Sequence, residues 1–350
     1  MSNEQSILSI PISPETHKDV WVYAEVRHDN LIPTVFELLF LGKKLAADLN
    51  EKLCAVIIGK NVSQHAQTLI DHGADKVYAI EHDHLEQFVD ETYAKLLTDL
   101  LLKEKPNKLL LPASTIGRSF GSRVAVQANT GITADATELS INKEKGGLLN
   151  ATRPSFGGTL MATILCVRGH RPETATVRPM TFPRATPEPG RKGDVVKVPV
   201  DLSGFKPRER HIRFEPEVSQ EIDISQATII ISGGYGVGGA NGFNALHDLA
   251  KTLGGAVGAS RRAVDSGWIS YRHQIGLTGR VVRPKLYIAA GISGQIQHLA
   301  GMNSAETIVC INKDPEAPLM KLATLSVQGD LFEILPAINK ELQKCGFGAK

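Results

Sequence analysis

Leu286-Tyr287-Ile288-Ala289-Ala290-Gly291-Ile292-Ser293-Gly294-Gln295-Ile296-Gln297-His298-Leu299-Ala300-Gly301-Met302 is the stretch on which the fold turns. An apolar run of strand length gives way to small residues and then to a short helical pattern. Gly291 and Gly294 carry no Cβ, so a ligand can come close to the backbone there. Ser293 is a favourable N-cap for the helix that follows. The first turn of that helix offers unpaired N–H groups at the positive end of its dipole, a setting suited to pyrophosphate. Gln297 and His298 add polar reach at the same spot. The pattern predicts a dinucleotide site at the carboxyl end of a strand.

Around this stretch the second half of the chain alternates strands and helices. A β-branched strand is expected over 227–231, then a glycine loop and a helix over 243–253. Further strands are expected over 256–259, 286–290 and 307–311, the last ending at Asn312-Lys313-Asp314, and an amphipathic helix over 332–342 closes the chain. Polar groups stand at the carboxyl ends of these strands, where open α/β sheets bind ligands.

The first half reads the same way. Strands are expected over 20–24, 54–58, 76–80 and 108–111, with helices over 34–49 and 85–102. Apolar strands alternating with helices argue a parallel sheet covered on both faces. After Gly131 short strands follow without helices, over 136–141, 148–153, 159–167 and 174–178, either extending the sheet or folding over one edge. Pro179, Pro183, Pro187, Pro189 and Pro199 then punctuate a stretch read as an extended connection, near 179–215. The expected fold class is α/β, with two doubly wound domains, 1–215 and 216–350, and the boundary near Pro216.

The composition excludes several classes. The 350 residues carry a formal charge of +2, with no basic stripe interleaved with aromatics, so no nucleic-acid partner is expected. The longest apolar runs are of strand length, so no membrane insertion is expected. Residues 1–11 hold an acid and no basic residue, and read as neither a signal nor a transit peptide. Cys54, Cys166, Cys310 and Cys345 lie far apart without metal-ligand spacing. They read as buried free thiols, with no metal and no iron–sulfur cluster, in a reducing cytoplasmic setting.

Two motifs mimic familiar chemistry. Gly234-Tyr235-Gly236-Val237-Gly238-Gly239 matches the G-x-G-x-x-G of dinucleotide-binding turns. That reading needs an acid at the end of the second strand, and this chain has Ser260-Arg261-Arg262 there. The arginines keep an NADP-dependent dehydrogenase open as an alternative, while a tight strand-to-helix turn is the plainer reading. Pro112-Ala113-Ser114-Thr115-Ile116-Gly117-Arg118 either holds a phosphate or is a capped turn. Walker spacing and its lysine are absent, which favours the turn.

Four segments in order carry a family resemblance: Val257-Gly258-Ala259-Ser260-Arg261, Gly276-Leu277-Thr278-Gly279, residues 291–302, and Ile311-Asn312-Lys313-Asp314-Pro315-Glu316-Ala317-Pro318. Together they closely resemble the alpha subunit of electron transfer flavoproteins. The match is dense over 229–342 and looser through the first half, where residues 114–118 and 133–135 are also similar. The resemblance implies FAD bound mainly by the C-terminal domain and a heterodimer with a beta subunit. It implies electron transfer between a flavin dehydrogenase, of acyl-CoA dehydrogenase type, and an acceptor such as a quinone reductase or ferredoxin. A simple carrier with one FAD and an AMP, and a bifurcating version that uses NADH and a second FAD in the beta subunit, both fit.

The resemblance also implies residue roles. Ser260 touches the pyrophosphate region and Arg261 lies against the isoalloxazine, where a fixed cation favours the reduced, anionic ring. Thr278 bonds the flavin N5. Gln274 lies near the ring, which Ile275, Gly276 and Leu277 line. His298 lies near the flavin O2, where negative charge gathers on reduction. Ser293, Gly294, Gln295, Ile296 and Gln297 cradle the phosphates or the ribityl chain. Asn312 and Asp330, with Leu331 beside it, hold the adenosine end. The plainer readings are an ion pair for Arg261, a side-chain-closed turn for Thr278, a satisfied helix histidine for His298 and an N-cap for Asp330. Arg262 is expected to be a surface arginine in an ion pair. This chain departs from the family pattern in three places. Tyr235 stands where an arginine is common, Leu277 where a glutamine is, and Thr324-Leu325-Ser326 replaces an Asp-Tyr-Gly run. Two readings from other classes remain at this stage: the NAD(P)-dependent dehydrogenase and a nucleotide-binding regulatory subunit without redox function.

Overall fold

Strand Ile229–Gly233 is a β-branched run with side chains needed on both faces, and it lies inside a sheet. It pairs in parallel with Ala256–Ala259 on one side and Leu286–Ala290 on the other. Thr307–Asn312 and then Leu325–Gln328 continue the sheet, also in parallel. In chain order the five strands run second, first, third, fourth, fifth. The chain therefore reverses direction across the sheet between its first and third strands, and this reversal opens a crevice at their carboxyl ends.

The computed structural model describes residues 16–155, 160–166, 169–215, 222–225 and 227–347. The expectations for residues 1–11, for Pro216 and for strand residues Thr159 and Val167 lie outside them. The chain divides into two units, the first of residues 1–154 and 161–214 and the second of residues 155–160 and 215–350.

In the C-terminal unit, alternate residues of each strand feed opposite cores. Ile231, Ile288 and Ile311 pack under helices Phe243–Leu253 and Leu331–Lys344, against Phe243, Leu246, Leu249 and Leu335. Ile230, Tyr287, Ala289 and Cys310 face the other way, against Met302 of helix Ile296–Met302 and Leu319 of helix Pro318–Leu322. This two-sided burial is the doubly wound arrangement expected from the sequence. The edge strand Leu325–Gln328 carries exposed Leu325 and no apolar run, so pattern reading missed it.

The N-terminal unit holds seven parallel strands. Their order is Asp194–Val198, Lys76–Glu81, Leu53–Gly59, Val20–Ala24, Lys108–Pro112, Glu173–Val177 and Ile132–Ala136. Helix Pro33–Leu49 covers one face, and helices Asp90–Glu104 and Thr115–Gln127 cover the other. The short strands after Gly131 do both things the sequence left open. Ile132–Ala136 and Glu173–Val177 extend the sheet, while Glu138–Asn142, Leu148–Ser155 and Leu160–Ile164 form a separate three-stranded sheet beside helix Pro33–Leu49.

Two expectations change. The helix expected from residue 85 begins at Asp90, because Leu85 ends a short turn whose carbonyl accepts from the Tyr93 hydroxyl at 2.9 Å. The proline-rich stretch is not a plain connection, since Asp194–Val198 pairs in parallel with residues 76–80 at the sheet edge. Its start is pinned by the buried Glu37 carboxylate, which accepts from the backbone N–H groups of Met180, Thr181 and Phe182 at 3.0, 3.0 and 3.2 Å.

At the C-terminal crevice the backbones of two loops touch. A Cβ on Gly234 would lie 2.1 Å from the Gly291 carbonyl oxygen, whereas one on Gly239 would meet nothing within 4 Å. Gly234→Ala is therefore expected to destabilise the C-terminal unit by about 2–3 kcal/mol in urea unfolding, and Gly239→Ala to be near neutral. Equal midpoints for the two variants would refute the close contact.

Candidate functional site

Two glycine-bearing turns meet at the reversal point. The Gly234 N–H donates to the Ala290 carbonyl at 2.9 Å, and the Gly236 N–H to the Gly291 carbonyl at 3.0 Å. Residues 234–239 are thus the strand-to-helix turn of the plainer reading, ending in helix Phe243–Leu253. From these turns opens a cleft of about 770 Å³, walled by the loops after the first four strands in sheet order from Ala256–Ala259 to Thr307–Asn312.

The loop over residues 274–278 forms one wall. The Ile275 N–H continues the strand by donating to the Ala259 carbonyl at 2.9 Å, and the Leu277 N–H donates to the Gln297 carbonyl at 2.7 Å. Gly276 has φ +147°, and a Cβ there would sit 2.8 Å from the Gln297 carbonyl oxygen. Buried Gln274 donates through Nε2 to the Thr278 Oγ1 at 3.0 Å, which leaves the Thr278 hydroxyl hydrogen free to donate elsewhere.

Ser293, Gly294, Gln295 and Gln297 form the facing wall. Ser293 is not the N-cap expected from the sequence. The helix starts at Ile296, and Gln295 holds the cap position without a side-chain bond. The backbone stays extended because Gly294, at φ +86°, packs against Leu319, while the Ser293 carbonyl accepts from the Leu319 N–H at 3.1 Å.

His298 is 7% exposed, and its Nε2 lies 2.9 Å from the Tyr287 hydroxyl, on the strand below. Its Nδ1 is buried with no hydrogen-bond partner among the described residues. Burial pulls its pKa from 6.5 to about 4, with the Ile275 backbone opposing, so the ring is neutral near pH 7.

Ser260 ends its strand with its N–H on the Gly233 carbonyl at 2.9 Å. The two arginines after it reverse their expected surroundings. Arg261 makes the ion pair, with Asp265 at 3.2 Å, both exposed. Arg262 instead lies over the Tyr235 ring, 3.7 Å from its centroid, and Tyr235 stacks on Trp268.

At the far end Asn312 donates through Nδ2 to the Ile292 carbonyl at 3.0 Å and accepts from the Asp314 N–H at 3.1 Å. Three expected residues stand outside the walls. Asp330 caps the last helix through the Phe332 N–H at 2.9 Å and pairs with Lys313 at 2.9 Å. Leu331 is buried in the core, and the Ile296 side chain is exposed. Conversely, the walls include Gly236, Arg262, Asp265, Ile292 and Asp314, which the sequence reading did not select as site residues. Asp314 follows a strand end at Asn312, and that position was the available signal.

Comparison with known proteins decides the family. Residues 20–203 match the electron transfer flavoprotein domain, and residues 223–303 match the electron transfer flavoprotein FAD-binding domain. The electron transfer flavoprotein subunit alpha of Thermoanaerobacterium thermosaccharolyticum is 45% identical, over 94% of this chain and 98% of that protein. That of Megasphaera elsdenii is 40% identical, over 94% and 97%. The acryloyl-CoA reductase electron transfer subunit beta of Anaerotignum propionicum is 39% identical, over 91% and 94%. This chain belongs to the electron transfer flavoprotein alpha-subunit family. It is an electron carrier that uses FAD, and a beta subunit is its family partner.

The cleft suits this family's cofactor. Its volume falls in the range of ligand sites, about 300–1,000 Å³. The orphaned His298 Nδ1 on its wall is a buried polar atom in need of a partner.

The N-terminal unit has a reversal point of its own, between strands Val20–Ala24 and Lys108–Pro112. There Ser114 accepts from the Gly117 N–H at 2.9 Å, which makes residues 112–118 the capped turn. The Ser114 hydroxyl also bonds the Glu25 carboxylate, which is buried and pairs with Arg27 at 2.6 Å. A side-chain carboxylate thus stands where an anionic ligand would meet the helix.

Two of the four free cysteines, Cys54 and Cys310, are buried as expected. Cys166 is half-buried, and Cys345 is exposed at the end of the last helix, where no core covers it. No helix among the described residues is long and apolar enough to cross a membrane.

The depressed His298 pKa has a direct consequence for stability. Above pH 6.5 the imidazole is neutral folded or unfolded; below it the unfolded chain takes up the proton first, so the fold loses stability down to about pH 4. His298→Gln is expected to remove up to about 3 kcal/mol of that acid-side loss, making stability between pH 6.5 and 4 less steep in urea unfolding. An unchanged slope would refute the neutral, buried state.

Proposed function

We propose that this chain binds FAD in the cleft of its C-terminal domain, residues 216–350, and passes electrons between a flavin dehydrogenase of acyl-CoA dehydrogenase type and an acceptor such as a quinone reductase. The single observation behind this reading is the cleft itself, a glycine-lined crevice at the chain reversal of a domain of the FAD-binding family. The relative named for acryloyl-CoA reductase supports a partner that acts on acyl-CoA substrates.

FAD supplies reversible one- and two-electron chemistry, and the protein's residues tune it. Arg261 provides a permanent cation at the cleft wall, partly offset by Asp265. Beside the isoalloxazine, as the family resemblance implies, it would offset the negative charge that gathers on reduction and so favour the reduced ring. The Thr278 hydroxyl, fixed by Gln274, would be the donor to the ring nitrogen N5. His298, held by Tyr287 and neutral, would be the residue that serves the ring oxygen O2. Ser260, Ser293, Gly294, Gln295 and Gln297 hold the phosphates and ribityl chain, and Asn312 the adenosine end. The Asp330 contact to that end requires release from Lys313. Gln274, Ile275, Gly276 and Leu277 exclude water from one side.

A bifurcating variant, with NADH as donor and ferredoxin as one acceptor, is the second form of this reading, and the flavin count below separates the two. An NAD-dependent dehydrogenase is disfavoured by the absence of an acid at residues 260–262, and an NADP-dependent one by the polar groups that line the cleft after later strands.

The test is to purify the chain with its beta subunit and count flavins and AMP. One FAD with one AMP supports the simple carrier, and two FAD the bifurcating form. A folded heterodimer that takes up no FAD refutes both. Arg261→Ala is expected to lower the first flavin reduction potential by tens of millivolts, at about 59 mV per tenfold change in relative binding of the two redox states. An unchanged potential removes Arg261 from the ring.

A further inference from the structure

Arg262 and Tyr235 come from two different strand ends and meet in the cleft wall. The guanidinium carbon lies 3.7 Å from the Tyr235 ring centroid. Tyr235 in turn stacks on Trp268, with centroids 5.1 Å apart and planes inclined by 18°. Three side chains thus form one layered unit, although Tyr235 is 48% exposed and Arg262 is exposed.

The charges around this unit are uneven. The cleft wall carries two cations, Arg261 and Arg262, and two acids, Asp265 and Asp314. Arg261 is spoken for by Asp265 at 3.2 Å. Among the described residues no carboxylate lies within ion-pair distance of Arg262, whose contact is the ring face. A ring face holds a guanidinium through its quadrupole without neutralising it. The N–H groups lie in the guanidinium plane, so stacking leaves their edges free to donate. Tyr235 also precedes Gly236, whose N–H meets the Gly291 carbonyl at 3.0 Å where the loops of the first and third strands join. The unpaired cation therefore sits beside the glycine turns from which the cleft opens.

We propose that Arg262, held in place by Tyr235, supplies the positive charge that binds the pyrophosphate of FAD in this chain. This rests on the cleft being the FAD site. The doubly negative pyrophosphate is the part of the cofactor that needs a cation, and planar N–H forks suit its oxygens. Arg262 is the binding residue and Tyr235 the positioning residue. Trp268 stiffens the platform, so less side-chain freedom is lost when the cofactor binds.

The experiment uses the heterodimer with the beta subunit, stripped of flavin and titrated with FAD while flavin fluorescence is followed. Arg262→Gln is expected to raise the FAD dissociation constant about tenfold or more. The parent protein is expected to lose affinity steeply between about 0.05 and 0.5 M salt, and the variant less steeply, because the screened charge is gone. Tyr235→Leu is expected to weaken binding as well, Tyr235→Phe to lose less than Tyr235→Leu, and the Arg262→Gln/Tyr235→Leu pair to be no weaker than Arg262→Gln alone. An Arg262→Gln affinity within about twofold of the parent, with the same salt dependence, overturns the assignment. Additive losses in the double variant overturn the positioning role of Tyr235. Thr278→Trp, at an exposed position of the cleft wall, separates the two levels, its fold checked by an unchanged unfolding midpoint. If it abolishes FAD binding while Arg262→Gln changes nothing, the cleft stands and this assignment fails; if it changes nothing, the cleft reading fails.

Discussion

The site depends on a contact between two stretches of backbone. At the chain reversal of the C-terminal sheet, Gly234 and Gly236 donate hydrogen bonds to Ala290 and Gly291, and no side chain fits between them. This contact joins the loops of the first and third strands into a single floor. All the loops that wall the cleft spring from the same sheet edge, so their geometry is referred to that floor. The parallel register is what brings the strand ends level: Gly233 lies opposite both Ala259 and Ala290, and Ala290 opposite Ile311.

On this floor the polar groups are sorted by burial. His298 reaches down into the sheet, where Tyr287 bonds one nitrogen and the apolar surroundings keep the ring uncharged. Thr278 and Gln274 bond each other in a loop stitched to the next helix. The arginines stay at the exposed rim, one paired with a carboxylate and one with an aromatic face. Neutral donors thus line the interior while charges stand at the entrance, an arrangement that avoids the cost of burying unpaired charge. The N-terminal unit, built on the same kind of parallel sheet, has a carboxylate of its own at the equivalent reversal, so related topology does not imply a second anion site.

Much of this was legible from the chain. Strand Ala256–Ala259 and helix Phe243–Leu253 fall where periodicity and breakers put them, because parallel strands buried on both faces are apolar throughout and helices show one apolar face. The glycines after strand ends announced backbone approach. Pattern failed where burial was partial. Strand Leu325–Gln328 lies at an exposed edge, and strand Asp194–Val198 lies among prolines with four of its five residues exposed. Neither needs the apolar run by which interior strands are known. The cap at Ser293 failed for a different reason: Leu319, far along the chain, holds that backbone extended past the point where a local preference would begin the helix.

The amino-acid sequence by itself determined the α/β class, the glycine turns and the family to which the chain belongs, since these follow from local periodicity and from residue types in fixed order. The tertiary structure alone decided which charge meets which partner: Arg261 with Asp265, Arg262 with Tyr235, Asp330 with Lys313, and His298 with Tyr287. Such pairings depend on strand register and on the directions in which side chains leave different elements. Neighbouring arginines one residue apart on a helix point to different sides, so adjacency in the chain gave them one reading and the fold gave them two.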